Sequence, residues 1–567
     1  MPWFLGFGLI ARHASGASLI AIDEAWQHTS GEVWEQQAAA QDLALSAWVQ
    51  PGFEPLAQEG SGAGPANDFW QTSRGGFVGG PTLLEQATRL TDFGPGKHTI
   101  LFRKTFEVAD LDAIQDLVLR LQYKHGLLLW LNGRLILQEG FASLEGSQGL
   151  GSPEADPFPI QALAAWRPDN LFEERDLSHA VPWLVEGTNV LAAQVHASIN
   201  QLSMAFVAEL NANFARPPSV HQLTSHTAVV SWRTLQPKSA TLHYGLTPRL
   251  TQHLSLPQAV LEPEITLKSL HPGRRYYWQV ALEDPEGVAR SPMKTFSTPD
   301  PEADHVSFAV IGDSGLGTLA QYDVAQQIRA SGADLVLTTG DTVYPSLVPE
   351  LVDLRFYSLY HQGQQARPIY PSVGNHDWYQ GKAMFAQLYH LPVNASSTQE
   401  HAADNTTPES YYQFEQGPAA FFALCVPFLY QYDISGSAGK TQLAWLEQAL
   451  RASDRPWKIL YLHHPIVTSS SHLTDDYNGN QIPDILDVRQ AILPLAQQYG
   501  VQFIFAGHDH VYERFAPMGG VVPVTTAGGG GRLYGLRSRA PLSQQFQSVH
   551  HLVHVALNGD EATLRAI

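Results

Sequence analysis

The chain has 567 residues, of which 44% are hydrophobic, 10% aromatic and 16% charged. This length predicts three or four folded units, and the composition excludes a mainly disordered or collagen-like chain. With 54 acidic and 34 basic residues the net charge is −20, which argues against non-specific binding to nucleic acid or to an anionic membrane.

The cysteine content and the length of the apolar runs exclude further classes of protein and of metal site. The single cysteine, Cys425, excludes an intrachain disulfide and cysteine-ligated metal sites, so histidines and carboxylates must hold any metal. No apolar run reaches the roughly 18 residues of a membrane span. Residues 1–11 are apolar and signal-like but have no basic segment before them. Two interpretations stay open: an export signal, which predicts an extracellular or periplasmic protein, and an ordinary first strand.

Residues 1–214 are predicted to form an antiparallel β-sandwich, because short apolar runs alternate with Gly, Asn and Asp. The clearest piece is a hairpin around the Asn132-Gly133 turn. Strands are predicted over residues 101–108, 127–131, 134–137 and 189–196. The block resembles jelly-roll modules that precede some bacterial hydrolases. Such modules often carry paired aspartates where this chain has Lys124 and His125, so a structural role is favoured over sugar or ion binding.

Residues 215–299 are predicted to form a second β-sandwich, similar to fibronectin type III domains. Two features typical of that fold are present: Trp232 on an early strand, and the corner sequence Leu270-His-Pro-Gly-Arg-Arg-Tyr276, whose tyrosine hydroxyl can bond back to the backbone. We expect this domain to act as a spacer.

Residues 300–567 are predicted to form an α/β layered domain, because apolar strands alternate with segments of helical spacing. Strands are expected over 306–311, 334–339, 368–373, 457–462 and 501–506, and helices over 319–330, 440–452 and 491–499. Segments 521–526 and 550–567 predict antiparallel closure at a sheet edge.

Each predicted strand of this domain runs into a candidate metal ligand, and parallel strands bring such side chains to one edge of the sheet. The candidates are Asp313, Asp341, Tyr344, Asn375, His463, His508 and His510. Two carboxylates, an amide, a phenol and three imidazoles suit Fe, Zn or Mn. Any one of these motifs alone is more often a turn or a loop, but five in fixed order predict a metal site.

These blocks resemble the calcineurin-like metallophosphoesterases, and within them the purple acid phosphatases. The shared blocks are Gly-Asp, Gly-Asp-x-x-Tyr, Gly-Asn-His-Asp, Val-x-x-His and Gly-His-x-His, and only the fourth departs, with Leu460 in place of Val. Tyr344 is the discriminating match, because most other relatives in the wider superfamily lack the phenol.

The resemblance implies two metal ions: Fe³⁺ in a first site, coloured by a bound tyrosinate, and Fe²⁺, Zn²⁺ or Mn²⁺ in a second. By carry-over, Asp313, Tyr344 and His510 hold the first ion. Asn375, His463 and His508 hold the second, and Asp341 bridges both. Two such ions would acidify a water molecule to hydroxide and clamp the phosphoryl oxygens for in-line attack.

Phosphate-ester hydrolysis, most simply by an acid phosphomonoesterase, is therefore the predicted function. One alternative is a phosphodiesterase acting on nucleotides, phospholipids or phosphorylated glycans. Monoesterases and diesterases share the metal core, and the walls of the pocket determine which ester is hydrolysed. Another is a surface- or carbohydrate-binding protein with a vestigial catalytic domain, against which the intact ligand set argues.

Two further histidines are candidate catalytic residues. His376 stands beside Asn375, and His472 occupies the place of a histidine that the family keeps near the metals. Either could stabilise the transferring phosphoryl group or protonate the leaving alkoxide, the alternative being a hydrogen-bonded loop histidine. Where some relatives carry another histidine this chain has Leu473, so leaving-group protonation could be arranged differently here.

Other polar groups receive structural or weaker interpretations. His464, Tyr512, Glu513 and Arg514 are expected to orient the imidazoles, with a phosphate clamp at Arg514 as a minority alternative. His550, His551 and His554 are expected at the surface or on an edge strand. Gly528–Gly531 lacks the lysine and helix of a phosphate-binding P-loop.

Residues 476–487 place side-chain oxygens at positions 1, 3, 5, 9 and 12 of an EF-hand-like loop. Position 6, which is glycine in EF-hands, is Gln481. The segment is therefore either a Ca²⁺ site or an acidic solvated loop.

Overall fold

The described part of the chain contains six β-sheets, arranged as two all-β units followed by an α/β unit. In this computed structural model the description covers residues 18–21, 24–30, 47–50, 71–74, 77–79, 88–89, 99–123, 126–140, 173–196, 204–285, 287–378, 382–393, 409–426 and 437–567. The predicted signal-like segment 1–11 and the pair Lys124–His125 lie outside these residues.

Two mainly antiparallel sheets form the N-terminal unit. One contains Ser18–Ile20, Phe77–Gly79, Thr88–Arg89, Leu117–Tyr123, Glu173–Asp176 and Met204–Ala212; the other contains Ala25–Ser30, Gln71–Arg74, Thr99–Val108, Gly126–Leu131, Arg134–Glu139 and Gly187–His196. Short 3₁₀ helices span Ala47–Val49 and Ser178–Trp183. Trp26 and Phe102 of one sheet pack on Phe206 of the other, with ring centroids 5.3 and 4.5 Å apart. The predicted hairpin around Asn132-Gly133 is present.

The second unit is a smaller sandwich of three and five strands. Its strands are Arg216–His221, Ala228–Arg233 and Glu264–Leu267 in one sheet, and Ser239–Gly245, Gln252–Ser255, Arg275–Asp284, Gly287–Arg290 and Lys294–Ser297 in the other. Trp232 and Trp278 are buried between the sheets. The Tyr276 hydroxyl accepts the backbone N–H of His271 at 2.9 Å, the contact that the corner sequence predicts. The fibronectin type III class and the boundaries at residues 214 and 299 stay predictions.

The C-terminal unit packs helices against two mixed sheets. One sheet contains His305–Ile311, Leu335–Thr338, Ile369–Pro371, Val553–Asn558 and Glu561–Ala566; the other contains Tyr412–Gln416, Ala419–Ala423, Trp457–Leu462, Phe503–Ala506, Tyr512–Phe515, Val522–Thr526 and Ser543–Gln547. Helical segments are Leu319–Ser331, Pro349–Val352, Asp353–Tyr357, Ser358–Tyr360, Asn375–Trp378, Lys382–Tyr389, Ser437–Ala452 and Asp484–Gln498. Strands at the centre of each sheet run parallel. None of these described helices is long and apolar enough to cross a membrane.

The last helix begins seven residues before the predicted start at 491. Pro483 immediately precedes it, and Asp484 and Asp487 lie in its first turn. Both features favour a helix N-terminus, proline because its φ is already suitable and carboxylates because they face the positive end of the helix dipole. The predicted start was late because it relied on apolar periodicity, and the first turn of this helix is polar.

A buried ion cluster joins the three units. Asp353, which is 0% exposed, pairs with Arg120 of the first sandwich at 3.4 Å and with Arg233 of the second at 2.6 Å, and Arg216 also bonds to it. Glu174 and Glu209 join the cluster through Arg120, and half-exposed Glu262 joins it through Arg216 and Arg233. Burial raises the pKa of Asp353, but the arginine charges lower it further than burial raises it, so the carboxylate is ionised.

A buried histidine beside this cluster makes the fold sensitive to acid. His361 is 5% exposed and its ring stacks on Tyr357, with centroids 5.0 Å apart. Burial, then the charges of Lys294 and Arg216, lower the pKa of His361 to about 3.

Replacing His361 by phenylalanine is expected to flatten the loss of stability in acid. The native pKa lies below the unfolded value of about 6.5. The group therefore has no effect above pH 6.5 and destabilises the fold increasingly as pH falls toward 3. Between pH 6.5 and 4.5 the difference amounts to about 2 kcal/mol. Urea midpoints of wild type and His361→Phe across this range measure it; parallel curves would contradict a neutral buried imidazole.

Candidate metal centre

All seven predicted ligands follow strands of the C-terminal sheets. Asp313 and Asp341 come after the parallel strands His305–Ile311 and Leu335–Thr338, and His463 directly follows Trp457–Leu462. Oxygen or nitrogen atoms of Asp313, Asp341 and His463 lie within 4.8 Å of one another, and all three residues are buried. The carboxyl ends of the two sheets therefore converge on one buried polar centre.

Hydrogen-bond distances bring the candidate ligands together in two groups. In one, the Tyr344 hydroxyl lies 3.2 Å from Asp313 Oδ1 and 3.1 Å from His510 Nε2. In the other, His463 Nε2 lies 2.9 Å from Asn375 Oδ1 and 3.2 Å from His508 Nδ1. The predicted bridging ligand, Asp341, places Oδ2 3.4 Å from His463 Nε2.

The loops that carry the ligands are tightly turned. Asp313, Asp341 and His508 have φ angles of 56°, 50° and 68°, a left-handed conformation that costs free energy for residues with a side chain. Gly374 makes one such turn possible, because a Cβ atom there would lie 2.1 Å from Asp341 Oδ1. The backbone is thus held in an unfavourable form where it aims polar atoms at the centre.

Backbone carbonyls set the protonation of two ligand imidazoles. His463 Nδ1 lies 2.8 Å from the carbonyl oxygen of Thr339, and His510 Nδ1 lies 2.6 Å from that of Arg532. A carbonyl only accepts, so each Nδ1 carries a proton and Nε2 is the nitrogen that faces the centre. Imidazole binds a metal in this orientation once Nε2 has lost its proton, and the donor set therefore fits two metal ions.

The electrostatics also favour cations. Burial lowers the pKa of His463, but Asp341 and Asp313 raise it to about 9 overall. Burial raises the pKa of Asp341, but the His463 and His376 charges lower it overall. Carboxylates that favour a proton on a buried imidazole favour a metal ion at the same place, and metal binding displaces that proton.

Each of the two candidate catalytic histidines lies against a candidate ligand. His376 Nε2 is 4.0 Å from Asp341 Oδ2, and its ring packs against Tyr344 at 4.6 Å. The His472 ring is 3.9 Å from that of His508, and its Nδ1 bonds to Asp475. His376 keeps 30% of its side-chain surface exposed, so a bound substrate can reach it.

The candidate ligands lie in a region of the chain that is similar to a known family. Residues 306–512 match the sequence profile of the calcineurin-like phosphoesterases, and these residues contain every candidate ligand. The matched residues, 306–512, are those of a calcineurin-like phosphoesterase domain. The predicted class of enzyme, a hydrolase, is thereby confirmed for this domain.

Purple acid phosphatases are among the relatives of this metallophosphoesterase domain. Purple acid phosphatase 3 of Arabidopsis thaliana is 31% identical over 254 residues, which are 40% of this chain and 64% of the relative. Purple acid phosphatase 4 of the same plant is 29% identical over 42% of this chain and 71% of its own. The aligned region thus spans about two thirds of these relatives. The resemblance to the purple acid phosphatase branch is confirmed.

A solved structure extends the likeness beyond the metallophosphoesterase domain. The purple acid phosphatase PPD1 from yellow lupin (Lupinus luteus) seeds aligns over 87% of this chain and 93% of its own, with a TM-score of 0.50 and 14% identity. At that identity the likeness concerns the fold. The predicted fold class, β-sandwiches before an α/β metallophosphoesterase domain, is confirmed.

Two carboxylates that were not predicted from the sequence support the candidate metal ligands. Asp377 accepts the backbone N–H groups of Asp341 and Gly374 at 2.8 and 2.9 Å. Asp509 accepts the backbone N–H of His472 at 3.1 Å. Both lie in motifs that contain predicted ligands, Asn375-His-Asp377 and His508-Asp-His510. Their place in these motifs was the signal that could have identified them. Tyr534, stacked on His510 at 4.3 Å, lies outside these motifs, and no sequence pattern indicated its position at the centre.

Other residues named from the sequence take varied positions. The His464 ring lies 4.2 Å from His508, whereas Glu513 accepts the N–H of Ser469 at 2.9 Å and so holds the loop before His472. Tyr512 packs on His551 at 5.2 Å. Half-buried Arg514 lies within the strand Tyr512–Phe515. His550 is half-buried, and His554 lies in the strand Val553–Asn558.

The glycine run Gly528–Gly531 supports the Asp313 turn through its backbone. Gly529 donates to the carbonyl oxygen of Gly312 at 2.9 Å, and Gly531 donates to that of Asp313 at 2.7 Å. The expectation of a surface or edge position was wrong for His551, which is 2% exposed. It is buried because the turn at Gly528 packs directly on its imidazole.

Proposed function

We propose that the protein hydrolyses phosphate esters and, within that class, acts on phosphomonoesters. The observation that carries the proposal is the convergence of two ligand groups on one buried centre beside Asp341. In the proposal, Asp313, Tyr344 and His510 hold one ion, Asn375, His463 and His508 hold the other, and Asp341 contacts both. The ions are Fe³⁺ with Fe²⁺, Zn²⁺ or Mn²⁺. When bound, they supply a nucleophilic water and neutralise charge on the phosphoryl group.

His376 and His472 are proposed to handle protons and phosphate charge. His376 Nδ1 donates to the carbonyl oxygen of Pro345 at 2.6 Å, so its Nε2, beside Asp341, is the nitrogen that can face a phosphate oxygen. His472 donates through Nδ1 to Asp475, and this contact fixes the orientation of the ring. Each protonated imidazole can stabilise the phosphoryl group or protonate the leaving oxygen.

A metal analysis combined with a substrate panel tests the function. The full chain should contain two metal ions per molecule and should hydrolyse phosphomonoesters faster than diesters in acid. The loops 345–365, 378–410 and 532–548 are expected to determine this preference, although residues 379–381 and 394–408 of the second lie outside the described part of the chain. Faster turnover of nucleotide, phospholipid or phosphoglycan diesters would replace the monoesterase proposal, and two bound metals without any turnover would refute hydrolysis.

Replacing Tyr344 by phenylalanine is expected to remove a visible absorption band from the iron-loaded protein. A phenolate bound to ferric iron absorbs visible light, and the hydroxyl of Tyr344 lies beside Asp313 and His510. Spectra of wild type and Tyr344→Phe, each with metal content measured, provide the test. A colourless, active, iron-loaded wild type would show that the phenol is not a ligand.

Export is part of the proposal and rests on the signal-like residues 1–11. Fractionation of the native host measures it. Full-length protein found solely in the cytosol would reject it.

A further inference from the structure

We propose that the loop of residues 476–487 binds one calcium ion outside the catalytic centre. Its first part, residues 476–483, joins Asp475 to the helix Asp484–Gln498, and its last part is the first turn of that helix. Its candidate side-chain ligands are the oxygens of Asp476, Asn478, Asn480, Asp484 and Asp487. Five hard oxygen groups within 12 residues are the ligands that calcium prefers, at the spacing of an EF-hand loop.

The backbone of the loop has the turn that this spacing needs. Asp476, at position 1, accepts the backbone N–H groups of Asn480 and Gln481 at 3.1 and 2.9 Å. Gln481, at position 6, has a φ of 67°, so the chain turns sharply where EF-hands have glycine. The departure at Gln481 therefore leaves the shape of the loop intact.

The start of the helix places the last two ligands together. Asp484 and Asp487 are positions 9 and 12 of the loop and lie three residues apart in the first helical turn, so they share one face. Asp487 Oδ2 also accepts the side-chain amides of Asn478 and Asn480, at 3.0 and 2.7 Å. Positions 3 and 5 of the loop thus meet position 12 at the same carboxylate.

The buried carboxylate of Asp484 is the observation that points to a cation site. The Asp484 side chain is 2% exposed. Oδ2 accepts the backbone N–H of Tyr477 at 3.0 Å, which turns the carboxylate toward the loop, whereas Oδ1 has no hydrogen-bond partner among the described residues. The neighbouring charges that act on it belong to Asp475, Asp476 and Asp487. A buried carboxylate oxygen among carboxylates is unfavourable without a cation, and calcium would satisfy it.

The loop is connected to candidate catalytic His472 through Asp475. The carbonyl oxygen of Asp475 accepts the N–H of Asp484 at 2.7 Å. Its carboxylate accepts the Tyr477 hydroxyl at 3.1 Å and bonds to His472. An ion that orders the loop therefore fixes Asp475 and positions His472.

Calorimetric titration of calcium chloride into the full, metal-loaded chain tests the site. Wild type should bind one ion with a Kd below about 1 mM, and 10 mM calcium should raise the unfolding temperature by about 2–5 °C. Asp484→Asn should weaken binding at least 30-fold while folding normally, since it keeps the acceptor for Tyr477 and removes a buried charge. Asp487→Asn should act likewise. Asp560→Asn, an exposed change of equal charge, should bind as wild type.

Several results would overturn the proposal. These are no binding by wild type up to 10 mM calcium, unchanged binding in both Asp484→Asn and Asp487→Asn, or binding that disappears only in Asp341→Asn, which would locate the ion at the catalytic centre. Calcium binding is measured without turnover, so it stands or fails separately from the proposed hydrolysis. The link to His472 does rest on that function: Asp484→Asn should lower kcat while KM is retained, Asp560→Asn should change neither, and an unchanged kcat in Asp484→Asn would reject the link.

Discussion

Replacing Asp341 by asparagine is expected to lower phosphate-ester turnover by about 100-fold or more while the fold is retained. Asp341 is the proposed shared ligand, so loss of its charge weakens the attraction for both metal ions and their control of the attacking water. Asparagine has the same shape and can still accept the backbone N–H of His376, which now bonds to Oδ1 at 2.9 Å. Turnover, metal content and unfolding temperature, measured on one preparation, separate catalysis from folding.

Asp304→Asn is the matched control for Asp341. Asp304 is 87% exposed at its side chain, so the change removes the same charge without touching the centre. Its turnover should equal that of wild type. If Asp341→Asn kept more than about a tenth of wild-type turnover with both metals bound, Asp341 would not be the bridging ligand.

Replacing Asp353 by asparagine is expected to destabilise the protein by about 3–5 kcal/mol. The carboxylate is fully buried and pairs with arginines from both β-sandwiches. Without its charge, Arg120 and Arg216, each 1% exposed, remain buried with less compensation. The loss should appear in the urea midpoint of the transition that separates the sandwiches from the metallophosphoesterase domain.

The same exposed control applies to this prediction. Asp304→Asn should change stability by no more than about 0.5 kcal/mol. A loss below about 1 kcal/mol in Asp353→Asn would show that the remaining carboxylates, Glu174, Glu209 and Glu262, neutralise the arginines by themselves. Turnover at low temperature should survive in this variant, because Asp353 does not contact the ligands.

Most strands and helices of the C-terminal domain could be predicted because their signal is local. The strand Trp457–Leu462 and the helix Leu319–Ser331 agree with prediction to within a residue, since apolar periodicity reports the face that each element buries. The helix Asp484–Gln498 was predicted too short because its first turn is polar. Its proline and acidic residues are helix-start signals, but they also suit a loop.

The order and type of the candidate metal ligands were determined by the sequence alone. Each ligand lies within a few residues of a strand end, so a short motif records both its chemistry and its place at the sheet edge. Only the tertiary structure decided which other groups meet them. Tyr534 reaches His510 across 24 residues, and Asp353 reaches Arg120 across 233. Such pairs depend on how separate loops and domains pack, and no local pattern in the chain records that packing.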